Sequence, residues 1–80
     1  MTQSELELFA LLRSESHKAG LDRLSVILDC SLIVPADPTR TWRGELWGRK
    51  RRELFAESWG GTLETCLSEL LKNFRERREP

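Results

Sequence analysis

The chain has 80 residues, thirteen of them basic, thirteen acidic and two cysteine. At this length a protein buries only about 60–65% of the surface its unfolded form exposes, which argues for one domain and against a deep catalytic cleft. Balanced charge argues against both a generic polyanion binder and an acidic DNA mimic. Residues 1–40 hold four basic and six acidic groups, a sum of −2 against +2 for the rest, too small an asymmetry to assign a partner.

Ser4 and Glu7 have the spacing of a reciprocal helix-start box, and Thr2 with Glu5 offers the same arrangement two residues earlier. A helix is expected at about residues 3–19, with Leu8, Phe9, Leu11, Leu12 and Ala19 on one face and Gly20 ending it in the left-handed region. Residues 24–34, LSVILDCSLIV, alternate as a strand: Leu24, Val26, Leu28, Cys30, Leu32 and Val34 point one way, and Ser25, Ile27, Asp29, Ser31 and Ile33 the other. The prolines of PADP close it.

Residues 40–47 and 52–59 read as a hairpin. A two-residue loop at Arg49-Lys50 would set Leu46 against Glu53 and mix apolar with charged groups on both faces, so the expected register is one step away. It sets Leu46 opposite Leu54, Gly44 opposite Ala56, Trp42 opposite Ser58 and Arg43 opposite Glu57. One face then carries Trp42, Leu46, Leu54 and Ala56, continuing Leu28, Cys30 and Leu32. The other carries Trp47, Phe55 and Trp59 with Arg43, Glu45, Glu53 and Glu57, beside Ile27 and Ile33. The rival reading makes RKRRELFAESWGG a short helix. Thr62 then caps a second helix to about Phe74, with Leu63, Cys66, Leu67, Leu70, Leu71 and Phe74 as its core stripe and residues 75–80 as a frayed tail.

The expected fold is α+β, in the order α-β-β-β-α: a three-stranded antiparallel sheet packed by two helices. With both helices on one face, Trp47, Phe55, Trp59 and Arg43 form a protein-binding surface on the other, since tryptophan and arginine dominate binding hot spots. A homodimer through that face would cover it equally. The alternative is nucleic-acid binding through the run Arg49, Lys50, Arg51 and Arg52 at the hairpin tip, helped by Arg43, Arg75, Arg77 and Arg78.

His17, with Ser14, Ser16 and Lys18 nearby, completes no nucleophile, base and orienting set, and no phosphate-binding loop is present. Cys30 and Cys66 lack metal-ligand spacing and read as free thiols. No enzyme activity, cofactor or metal site is therefore expected. The absence of a leader pattern and of an apolar run of about 18 residues points to a cytoplasmic protein without membrane association.

The element order resembles the double-stranded-RNA-binding domain. That family reads RNA through a lysine-rich start to its second helix and a histidine-bearing loop, and this chain has GGTLET and PADP at those places. FAESWGGTLETCLSELL, residues 55–71, looks like the strand-to-helix segment of HicB-type antitoxins. In general character the chain is similar to small accessory proteins of phages and mobile elements, including anti-CRISPR proteins, which implies an inhibitor or regulator that occupies a partner's surface.

Overall fold

The computed structural model describes residues 1–28, 37–48 and 53–78. Helix α1 (Gln3–Lys18) leads into strand β1 (Leu21–Leu28), a 3-10 turn (Pro38–Arg40), strands β2 (Trp42–Gly48) and β3 (Leu54–Gly60), and helix α2 (Leu63–Arg78). The sheet is antiparallel throughout, in the order β1-β2-β3. The expected α-β-β-β-α architecture is therefore present, and of the segment 49–61 that the rival reading makes a helix, Leu54–Gly60 forms β3.

Of the two helix-start boxes, the chain uses the earlier. The Glu5 amide donates to Thr2 Oγ1 at 3.1 Å and the Thr2 amide to Glu5 Oε1 at 2.7 Å, satisfying two otherwise orphaned donors. Gly20, at φ 83°, turns the chain sharply into β1, which begins three residues before the expected strand and buries Leu21. Residues 29–34 of the expected strand, Cys30 and Ile33 among them, lie outside the described residues. At the entry to α2 the Thr65 amide donates to Thr62 Oγ1 at 3.1 Å, the cap anticipated from GGT.

Both helices lie on the same sheet face. Helix α2 packs across β2 and β3, and α1 packs beside α2 and over β1. Leu12, Leu21, Leu46, Ala56, Leu67, Leu70, Leu71 and Phe74 form the buried core, with Leu8, Phe9, Leu24, Val26, Phe55 and Leu63 packed against it. The α2 stripe is thus as the periodicity anticipates. On α1, Leu11 is instead 44% exposed and Ser16 is buried, because this helix touches its neighbours along a narrower line through Leu8, Phe9, Leu12 and Ser16.

Two glycines permit the close approach of α2. A Cβ on Gly44 would lie 2.8 Å from Ser58 Oγ and 3.0 Å from Leu70 Cδ2, and one on Gly60 would collide with the Cys66 backbone. Ser58 Oγ donates to the Cys66 carbonyl at 2.7 Å, and Asn73 Nδ2 donates to the Glu57 carbonyl at 2.8 Å, pinning β3 under the helix at two points. Helix α2 also runs four residues beyond its expected end. Arg75 binds Glu15 of α1, Arg77 lies 5.1 Å from the Phe55 ring centre and Arg78 lies 5.6 Å from that of Phe74. These contacts, with the favourable placement of cations at a helix C-terminus, hold Arg75, Arg77 and Arg78 in the helix in place of the frayed tail.

The pairing register of β2 with β3 differs from expectation by two residues. Leu46 stands opposite Ala56, Gly44 opposite Ser58, Arg43 opposite Trp59 and Trp42 opposite Gly60. Leu28 stands opposite Trp42. A slip of two preserves every face, because side chains alternate with period two. A bulge between Leu46 and Trp47 then adds one residue to β3, and it changes the faces locally.

Candidate protein-binding face

The helix-free face of the sheet is built from three cross-strand rows. Arg23, Trp47 and Leu54 make the first, Ser25, Glu45 and Glu57 the second, and Ile27, Arg43 and Trp59 the third. Alternation along β1 and β2 delivers these residues to the side opposite Leu24, Val26, Leu46 and Gly44, the positions that meet the helices.

Trp47, Trp59 and Arg43 therefore share one face, as expected. Phe55 does not join them. The extra residue at the bulge turns it toward α2, where its ring centre lies 5.6 Å from that of Phe74. The same bulge sends Leu54, assigned from the sequence to the core face, to stand opposite Trp47. Arg49, Lys50, Arg51 and Arg52 belong to the link between Gly48 and Glu53 and lie outside the described residues. The base of that hairpin is closed by the Gly48 amide donating to the Glu53 carbonyl at 2.9 Å.

Arginine covers tryptophan across this face. The Arg23 guanidinium lies 5.1 Å from the Trp47 ring centre, and those of Arg40 and Arg43 each lie 5.1 Å from that of Trp59. Both indoles are consequently half-buried in place of forming an open apolar sheet, and Ile27, at 45% exposure, is the face's exposed large apolar group among the described residues. Arg23 and Arg40 are contributors that the sequence reading did not include. Extending the alternation of β1 upstream by one step of two would have placed Arg23 beside Ser25 and Ile27. Arg40 comes from the 3-10 turn, whose start is fixed by the Thr39 amide and hydroxyl both donating to Asp37 Oδ1. Those hydrogen bonds hold the Asp37 carboxyl below its ordinary range, with Arg40 adding a smaller attraction.

The middle row sets two carboxylates opposite each other, and Arg43 bridges them. Its Nη2 lies 3.1 Å from Glu45 Oε2 and 3.6 Å from Glu57 Oε2. The Glu45 side chain is only 12% exposed and that of Glu57 49%, so the inner acid depends more on the shared cation. Arg43 Nε and Trp47 Nε1 are buried donors without an acceptor among the described residues. An unmet buried donor costs about 1–3 kcal/mol.

The described residues contain no cluster of three or more metal-ligating side chains. They contain no helix long and apolar enough to cross a membrane. Burial pushes the Cys66 thiol up, opposed in part by its hydrogen bond with Ser58, and the group sits in the core away from the helix-free face. Comparison of the chain with protein-family models, curated proteins and solved structures returned no match.

Proposed function

We propose that the protein is a non-enzymatic, cytoplasmic protein-binding module, an inhibitor or regulator of the phage accessory type, that acts by covering part of a partner's surface. The observation that carries this reading is the helix-free sheet face on which Trp47 and Trp59 lie under Arg23, Arg40 and Arg43. Each exposed arginine–tryptophan stack is worth only about 0.5–1 kcal/mol, so a partner can displace the guanidinium and take the indole at small cost. The displaced arginine then reaches acidic groups on the partner's rim. Two buried donors lacking acceptors gain from the carbonyls of such a partner.

Nucleic-acid binding is the weaker reading. Arg43 spends its charge on Glu45 and Glu57, and these acids stand in the middle of the face where a phosphate chain would run. Light scattering after size-exclusion chromatography separates the readings, using low and about 0.5 M salt with and without a mixed DNA and RNA pool. The protein-binding reading predicts an elution mass indifferent to nucleic acid at both salts. A mass that rises with nucleic acid at low salt only would transfer the function to the cationic groups, and a salt-independent dimer would give the tryptophan face to a second copy.

A further inference from the structure

We infer that the 3-10 turn Pro38–Arg40 is a strap that governs access to Trp59, with Arg40 as its movable end and Gly61 as its seat. The two guanidiniums on Trp59 lie equally close to its ring centre, at 5.1 Å. They are held very differently. Arg43 stands in the sheet directly opposite Trp59 and is tied to Glu45 and Glu57 at 3.1 and 3.6 Å, with its side chain 34% exposed. The Arg40 side chain is 63% exposed, and the carboxylate it meets, Asp37 Oδ2, lies 4.0 Å away at the start of the same turn. An exposed pair at that distance adds little, so Arg40 is the cover that lifts.

The turn is shaped to move as a unit. The Thr39 amide and hydroxyl donate to Asp37 Oδ1 at 2.9 and 2.7 Å, the Arg40 amide to the Asp37 carbonyl at 3.1 Å, and the Thr41 hydroxyl to the Pro38 carbonyl at 3.1 Å. Lifting the turn breaks none of these local bonds. Among the described residues, no hydrogen bond joins residues 37–40 to β3. The turn meets the end of that strand by packing, with the Pro38 carbonyl against Gly61 and Arg40 against Trp59. Gly61 does not have a positive φ, so space alone requires glycine there: a Cβ would lie 2.8 Å from the Pro38 carbonyl oxygen.

A partner that takes Trp59 must first lift the strap, so the seating of the strap tunes the affinity of the face. That consequence rests on the protein-binding reading, whereas the strap is a property of the free chain.

The test therefore uses the full ¹³C,¹⁵N-labelled chain alone. Arg40 side-chain protons packed on the Trp59 indole are moved upfield by its ring current, and a soluble gadolinium chelate reports the openness of the ring by speeding relaxation of its protons. Arg40→Ala should raise that relaxation about twofold or more, the factor that loss of one exposed cation–π stack supplies. Gly61→Ala alters neither side chain. It should nevertheless erase the Arg40 upfield shift and open Trp59 to the same extent, because its methyl pushes the turn off its seat. Asp37→Ala, at an exposed site, removes the bonds that shape the turn and should act alike, and unperturbed α2 resonances check that each variant is folded. Wild-type Arg40 without an upfield shift, a Trp59 no more open in Arg40→Ala, or folded Gly61→Ala and Asp37→Ala that both keep Arg40 stacked would each overturn the inference. Because no partner enters the experiment, a failure of the protein-binding reading would leave these results unchanged.

Discussion

Arg43→Ala separates what holds the tryptophan face together from what that face binds. The substitution leaves Glu45 and Glu57 directly opposite each other without their shared cation, and like charges so placed cost about 0.2–1 kcal/mol. It also removes the stack on Trp59, worth about 0.5–1 kcal/mol. Loss of the unpartnered Nε returns part of this, so the net destabilisation is about 1 kcal/mol. For a domain of this size that corresponds to a fall in Tm of about 4–8 °C. Circular-dichroism melts at low salt should show this fall. Much of the electrostatic share should disappear at about 0.5 M salt, where the half-exposed Glu57 is screened. Adding Glu57→Gln to Arg43→Ala should recover most of the repulsive share, because only one charged acid then remains in the row. A variant as stable as wild type at low salt, or one that Glu57→Gln does not rescue, would refute the bridging role.

Other substitutions probe the scaffold behind the face. Gly44→Ala should cost about 1–3 kcal/mol, seen as a lower urea midpoint with unchanged slope, because the new methyl would press on Ser58, Leu70 and Cys66. Glu15 donates no bond but accepts two from Arg75, at 3.0 and 2.6 Å, and these lower its pKa from the ordinary 4.5. Its contribution to stability is thus complete above the unfolded value and is lost as pH falls through the lower folded value. Accordingly Glu15→Gln should be less stable than wild type at neutral pH, with the two stability curves converging on acidification. In a Cys30→Ser background, the Cys66 thiol should react with a thiol reagent at least about tenfold more slowly in the native protein than in urea, since burial raises its pKa and hides it.

The sequence revealed the order of elements because each has an independent local cause: a Thr-Glu box, a period of two, a glycine turn with a threonine cap, and a six-residue apolar stripe on α2. Strand register was less legible. Slipping by two leaves every side chain on the same face, so alternation cannot separate Leu46 opposite Leu54 from Leu46 opposite Ala56. What decides it is α2, which needs Gly44, Ser58 and Gly60 clustered beneath Cys66, and that requirement is a long-range one. The bulge that exchanges the places of Leu54 and Phe55 has no glycine or other local mark. Trp47, Trp59 and Arg43 were recoverable as one face because they lie on the side of the bulge where alternation still holds or is restored by pairing. The arginine covers were not, since Arg40 arrives from outside the sheet and stacking leaves no periodic signature.

The central claim is that the tryptophan face engages another protein. Its most direct test is quantitative capture from a nuclease-treated extract on immobilised wild-type protein, beside Trp59→Ala shown by circular dichroism to be folded. The account predicts a saturable protein partner on the wild type that is lost from Trp59→Ala and kept by Leu11→Ala, a truncation on the exposed side of α1. Equal capture by wild type and a folded Trp59→Ala would contradict it.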